Sequence, residues 1–264
     1  MIRKAHLTSL SVLVAVMLAT GCGSGGIGSG GSVSLEDEWR LGNQLAQEVA
    51  SQVRLSNDAQ LVGYVREVGE RIHAKTPLAN LPFDFQVVVD PSVNAFSLPG
   101  GHVYVNTGLI AQADHENMLA GVLAHEIAHV VARHSIKQME KAQGINVLGS
   151  ILLGNNPSQA NVVLANILAG GTMARFSRAD EKQADELGLQ YMTAAGYNPN
   201  GMTDMFRKLL ALEKGSPSAV EKFFLDHPLT QDRINDIQKR IDSMGATGGT
   251  VDTPQYQSAR QRAS

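Results

Sequence analysis

The chain has 264 residues, 43% of them hydrophobic and 18% charged, which is the composition of a globular protein large enough to close a real core. Lys and Arg number 22 against 25 Asp and Glu, so no broad basic field exists and nucleic acid is excluded as a partner. The one cysteine excludes an internal disulfide framework and every cysteine-rich zinc ribbon, leaving His, Asp and Glu to hold any metal.

Arg3 and Lys4 give a positive start, residues 10–18 form a short apolar run, and the small residues Ala19, Thr20 and Gly21 follow. This is an export segment, about half the length of a spanning helix. Cys22 closes LATGC, which resembles a bacterial lipobox, with Ala19 where Leu is usual. The resemblance implies a lipid on Cys22. Residues 23–34 are nearly all Gly and Ser, a flexible tether. The expectation is a lipoprotein signal peptide over 1–22, a tether over 23–34 and a lipid anchor in the bacterial cell envelope. Gly23 after the cysteine implies the outer membrane, facing the periplasm.

One domain is expected over 35–245, without internal repeats. Leu35, Trp39, Leu41, Leu45 and Val49 share a helical face, and a second helix is expected from Asp58 to Ala74. Pro77 and Pro82 end the helical region, and Phe83, Phe85, Val87 and Val89 alternate as a strand up to Asp90 and Pro91. Val93 to Leu98 is a second extended stretch, and Val103, Tyr104 and Val105 are a third after a Pro-Gly-Gly turn. Asp114 is the expected N-cap of a long apolar helix over Glu116 to His134. Two apolar runs between Ile145 and Ala169 read as a helical hairpin. Ser177 and Asp180 signal a helix to Ala195, and another is expected from Asn200 to Leu212. A short stretch at Phe223 and Phe224 precedes His227 and Pro228, followed by a helix carrying Leu229, Ile234, Ile237 and Ile241. Residues 246–264 are expected to be a loose tail.

His125-Glu126-Ile127-Ala128-His129 is an HExxH pattern inside the long apolar helix. Four residues advance about 400 degrees, so both imidazoles point one way and can bind one ion, with Glu126 beside them. The third ligand fixes the kind of site. The metzincin position holds Ser135 rather than His, and His134 lies on the far side of a continuous helix, which predicts a surface or helix-end residue. Glu181 on the following helix fits, and Asp185, four residues on, shares its face and can orient a ligand imidazole. One Zn2+ per chain is expected.

HEIAHVVARHS, SRADEKQADELG and HPLTQDRI, in this order, resemble the zinc endopeptidases of the HtpX and CAAX-prenyl-protease family, metallopeptidase family forty-eight. The resemblance covers residues 35–241. With no membrane spans in this chain, it is similar to the exported lipoprotein branch. It implies an α+β zincin-like (gluzincin) domain, mostly helical with a small, edge-exposed sheet. It also implies zinc on His125, His129 and Glu181, with Glu126 as general base and acid. By the family's HPxxxxR motif, His227 stabilises the oxyanion with Arg233 in support. Asn94, Ala95 and Phe96 resemble the edge strand on which thermolysin-like enzymes hold substrate backbone. The expected activity is hydrolysis of unfolded or misassembled envelope proteins, a periplasmic quality-control role with envelope assembly machinery as a possible partner. The alternative is a periplasmic chaperone or assembly factor that binds extended chains without cutting; a zinc aminopeptidase is disfavoured because no GxMEN-like segment is present. The resting enzyme is expected to be self-blocked, with His227 or the 145–169 hairpin over the metal.

Overall fold

Ser34 accepts a hydrogen bond from the Asp37 amide and starts α1 (Leu35–Gln52), whose Leu41, Leu45 and Val49 repeat every four residues and are buried. Asp58 caps α2 (Ala59–His73) through the amides of Gln60 and Leu61. Three strands follow, β1 (Asp84–Val88), β2 (Ala95–Leu98) and β3 (His102–Asn106), in the order β1-β3-β2. β1 runs parallel to β3, with Phe85 opposite Val103, and β2 runs antiparallel, with Ala95 opposite Val105. Then come α3 (Thr107–Gln112), α4 (Glu116–Val131), α5 (His134–Gln143), α6 (Arg178–Ala194), α7 (Asn200–Gly215), α8 (Pro217–Asp226), α9 (Gln231–Met244) and α10 (Pro254–Ala263). The computed structural model describes residues 33–143, 176–245 and 248–264. The export segment, Cys22 and the hairpin between Ile145 and Ala169 lie outside the described residues. No helix among the described residues is long and apolar enough to cross a membrane.

The period of two along each strand divides the core. Phe85, Val87, Ala95, Val103 and Val105 face α2 and α4, and Val88, Leu98 and Tyr104 face α1. α4 is buried along nearly its whole length, with α6 and α7 against it. Two glycines permit that approach: a Cβ on Gly188 would lie 3.0 Å from the backbone of Ala124 and His125, and one on Gly201 would lie 2.3 Å from the Asn117 carbonyl oxygen.

The fold is the expected mostly helical α+β zincin-like domain, with three local corrections. Residues 217–226 form a helix rather than a short stretch, because Pro217 starts it and Val220 and Phe223 share its buried face. α4 is capped not by Asp114 but from the chain's end: the Glu116 amide donates to Asp252 Oδ1 and the Asn117 amide to the Val251 carbonyl. Asp114 instead pairs with Lys208 and Arg260. The supposedly loose tail is therefore ordered. It ends in α10, whose Tyr256 is wholly buried and donates to the carbonyls of Ile110 and Ala113. Tyr256→Phe is expected to lower stability by about 1–3 kcal/mol through the buried acceptors it deprives. Tyr256→Ala is expected to cost about 3–5 kcal/mol. Urea unfolding measures both, and unchanged midpoints would mean that the tail is loose after all.

Candidate metal centre

HExxH lies in the C-terminal half of α4, so the helix itself sets His125 and His129 on one face, with their Nε2 atoms 3.0 Å apart. α6 brings Glu181 to the same point, its Oε2 3.6 Å from His125 Nε2 and its Oε1 3.4 Å from His129 Nε2. The turn after α8 adds His227, whose Nδ1 is 3.3 Å from His125 Nε2 and 3.0 Å from Glu181 Oε1. These four residues are buried, and one ligand atom from each lies within 4.8 Å of all the others.

The surrounding groups fix which nitrogens are bare. His125 Nδ1 lies 3.0 Å from Asp185 Oδ1, a placement that favours the proton on Nδ1 and a lone pair on Nε2. Asp185 is in turn held by Nε and Nη2 along one edge of the Arg233 guanidinium, at 2.8 and 2.7 Å. Arg233 also pairs with Glu181 Oε2 at 2.6 Å, so one cation steadies two carboxylates. His129 Nδ1 lies 2.9 Å from His134 Nδ1, and His134 Nε2 meets the Gln183 side-chain oxygen at 2.9 Å. If His134 donates to Gln183, it accepts from His129 Nδ1–H, and His129 Nε2 is bare as well. Burial holds both His129 and His134 below the ordinary histidine pKa, which favours the neutral forms this relay uses.

Two lone pairs and a carboxylate thus converge where no protein donor serves all three, and this arrangement asks for a cation. A tetrahedral zinc with bonds of about 2.0–2.1 Å needs ligand atoms roughly 3.3 Å apart, and the separations of 3.0–3.6 Å fit. The donor set of two imidazoles and one carboxylate fits the same ion. Burial opposes charge on Glu181, but the neighbouring histidines, His227 first, hold its carboxyl well below the usual range. Burial also opposes charge on His227, yet the Glu181 and Glu126 carboxylates outweigh it and lift its pKa to about 9.

Glu126 is fully buried next to this group. Its Oε2 accepts from Ser97 Oγ at 3.0 Å, while its Oε1 has no hydrogen-bond partner and lies 3.3 Å from His227 Nε2. Ser97 belongs to β2, the strand that carries Ala95 and Phe96, with Asn94 just before it. The Asn106 amide donates to the Asn94 carbonyl, so residues 94, 96 and 98 bond inward to β3. The N–H and C=O of Ala95 and Ser97 therefore point away from β3, with Ala95 wholly buried and Ser97 partly exposed.

His125, Glu126, His129, Glu181, Asp185, His227 and Arg233 meet at this point, whereas Asn94, Ala95 and Phe96 are linked to it only through Ser97 of the same strand, and Cys22 lies outside the described residues. His134 is a correction. It is not a surface residue but wholly buried, because the helix does not continue. α4 ends at Val131, Arg133 takes the left-handed conformation at φ 58°, and the chain swings His134 back beneath His129. Ser97 and Phe176 were also missed. Phe176 stacks on the His129 ring at 3.9 Å. The strand period marks Ser97, on the same face as Ala95; nothing local marks Phe176.

The model for peptidase family M48 matches residues 59–241. The beta-barrel assembly-enhancing protease of Escherichia coli (strain K12) is 32% identical over 228 residues, covering 83% of this chain and 47% of that protein. The mitochondrial metalloendopeptidase OMA1 of Schizosaccharomyces pombe is 33% identical over 211 residues, covering 78% of this chain and 62% of that one. Metalloprotease LoiP of Escherichia coli (strain K12) is 28% identical over 261 residues, 92% of this chain and 98% of that protein. The chain spans about half the length of the beta-barrel assembly-enhancing proteases it matches.

Asp185→Asn is expected to weaken metal retention about 10–100-fold while leaving the fold intact, since it loosens the orientation of His125. Competition with a chelator, followed by metal analysis, measures this. Retention equal to wild type would show that Asp185 does not orient the ligand.

Proposed function

The chain belongs to peptidase family M48, and from that premise we propose that it is a zinc-dependent metalloendopeptidase acting on extended polypeptide. The observation that carries the proposal is the meeting of His125, His129 and Glu181 beside a buried carboxylate with one oxygen free of hydrogen bonds. Zinc held by these three residues would supply Lewis acidity to the scissile carbonyl and to a nucleophilic water.

The rest of the chemistry belongs to the chain. Ser97 holds one oxygen of Glu126, which leaves Oε1 to take the water's proton and later deliver it to the leaving amine. Arg233 and Asp185 keep His125 and Glu181 in place. Substrate adds as a strand along β2, bonding first to the outward groups of the partly exposed Ser97. His227, from its position among the ligand atoms, plays two parts: at rest it occupies the place that substrate or water needs, and once displaced its imidazole can donate to the oxyanion.

The edge strand would also serve a chaperone that binds without cutting, but such a binder has no use for a buried Glu126 with an oxygen free of hydrogen bonds. The relatives named beta-barrel assembly-enhancing protease support a substrate among unfolded or misassembled envelope proteins. Cys22 and the tether would anchor the domain by lipid to the outer membrane, facing the periplasm, within reach of envelope assembly machinery.

Digestion of unfolded casein tests the enzymatic proposal. Glu126→Gln is expected to keep its zinc and lose activity by at least about 100-fold. His227→Ala is expected to raise activity several-fold if release of the resting block dominates, whereas a fall would give the residue a purely catalytic part. Glu126→Gln digesting at the wild-type rate would remove the general-base assignment. For the anchor, Cys22→Ser is expected to move the protein from the membrane fraction to the soluble one, and unlipidated wild type in the soluble fraction would overturn that reading.

A further inference from the structure

Where α4 ends, the chain makes an elbow without a glycine. Arg133 stands there at φ 58°, a conformation that an L side chain disfavours because its Cβ crowds the backbone. The Arg133 amide donates to the Val130 carbonyl at 2.9 Å, and its carbonyl accepts from the Lys137 amide at 3.1 Å. These backbone bonds do not select the elbow, since a continued helix would satisfy the same groups. Yet the elbow is what brings His134 beneath His129, Nδ1 to Nδ1 at 2.9 Å. The other ring nitrogen of His134 meets the side-chain oxygen of Gln183, but Gln183 is exposed and by itself a soft hold.

The firmer hold comes from α1. Arg133 Nε donates to Glu38 Oε2, and Arg133 Nη2 donates to the carbonyl of Val33, just before that helix. Val33 is buried, and its amide donates to Glu140 Oε1 of α5 at 2.8 Å, so the same segment grips both sides of the elbow. Among the buried residues of α1, Glu38 alone is charged, and it is only 1% exposed. Burial raises its pKa, against which the Arg133 guanidinium acts first and the Gly100 amide after it. α1 is a fixed post for this tie: it packs backbone to backbone on the turn between β2 and β3, where a Cβ on Gly42 would lie 2.0 Å from the Pro99 carbonyl oxygen.

For stability alone, an apolar pair of similar volume would serve as well as a buried ion pair. What the pair adds here is a fixed geometry. We propose that Glu38 is a positioning residue for the metal centre: by holding Arg133 in the left-handed conformation it fixes where His134 stands, and His134 in turn keeps His129 oriented with Nε2 toward the ion. Glu38 touches neither metal nor substrate and acts through Arg133, His134 and His129 in series. The inference rests on the zinc-site reading given above, and it assigns a part in that site to the helix that follows the tether.

Metal binding by the full-length chain, read separately from cleavage, tests it. Zinc retention is measured by chelator competition, the absorption spectrum of Co2+ in the same site reports ligand geometry, and circular dichroism of the metal-free protein checks the fold of each variant. Glu38→Gln is expected to weaken retention about three- to tenfold and to alter the Co2+ spectrum, a smaller loss than for a residue bonded directly to a ligand. Glycine takes positive φ without a tie, so adding Arg133→Gly to Glu38→Gln is expected to return retention to within about twofold of wild type and to restore the spectrum. His134→Ala is expected to weaken retention by itself and to leave Glu38→Gln nothing to add. Should Glu38→Gln fail to fold, Arg133→Gly and Arg133→Val carry the test, since both lose the guanidinium and only glycine accepts the elbow; the valine variant should lose zinc where the glycine variant keeps it, and equal retention overturns the inference. Retention and spectrum equal to wild type in Glu38→Gln overturn it too, as does a loss that Arg133→Gly leaves unrepaired or that multiplies with that of His134→Ala. A wild type that retains no metal overturns the zinc-site reading instead; a wild type with one zinc and a silent Glu38→Gln overturns this inference alone.

Discussion

Two imidazole nitrogens with their lone pairs turned toward each other, 3.0 Å apart and joined by a carboxylate in a dry interior, form an arrangement that repels itself without a cation. Much of the architecture around α4 serves to hold that arrangement. Each imidazole has a polar partner near its other nitrogen, Asp185 Oδ1 for His125 and His134 Nδ1 for His129. Glu181 and Asp185 are both tied to Arg233. The guanidinium suits this because its planar fork serves Asp185 with two nitrogens and Glu181 with a third, and it stays charged however deeply it lies.

The same constraint explains why the helix bearing the motif has no polar stripe. Water must be excluded for a few charges to act strongly on a substrate, so α4 is covered by the sheet on one side and by α6 and α7 on the other. Close packing then becomes a condition of the chemistry. Gly188 lets α6 approach α4 at the level of His125, one turn beyond Asp185 and two beyond Glu181. Deep burial leaves the first turn of α4 without solvent for its amides, and the segment at Val251 and Asp252 meets that need from the far end of the sequence. Thr253 and Tyr197 satisfy the Glu116 carboxylate there, completing a polar clasp at the start of the buried helix.

Features with a local period could be read from the sequence. The helices, the alternating strands and the spacing of His125, His129, Glu181 and Asp185 each follow from one element's geometry. What escaped depended on contacts between elements distant in the chain. A continuous helix would carry His134 to the far side, and a single residue at positive φ, Arg133, redirects it. The order of the tail could not be read because polar residues such as Asp252 and Thr253 show their value only against the unmet donors of α4. Tyr256 gave one apolar signal in a stretch of Gln, Ser and Arg, too little for periodicity to register.

The sheet is small, yet its edge strand joins substrate recognition to the proposed base. In a strand, side chains alternate between faces while backbone groups alternate between edges. One residue can therefore send its side chain toward the helix and its N–H and C=O toward an incoming peptide. Ser97 does both: its hydroxyl holds Glu126, and its backbone groups point away from β3. On the opposite face Phe96 stacks on Tyr104 at 4.8 Å, and Leu98 is buried against α1. This anchoring resists rotation of the strand about its axis, and such rotation would shift the hydroxyl and the peptide-binding groups together. A peptide bound along this edge is thus placed relative to Glu126 by the covalent geometry of one residue, with no need for a separate loop to bring the two into register.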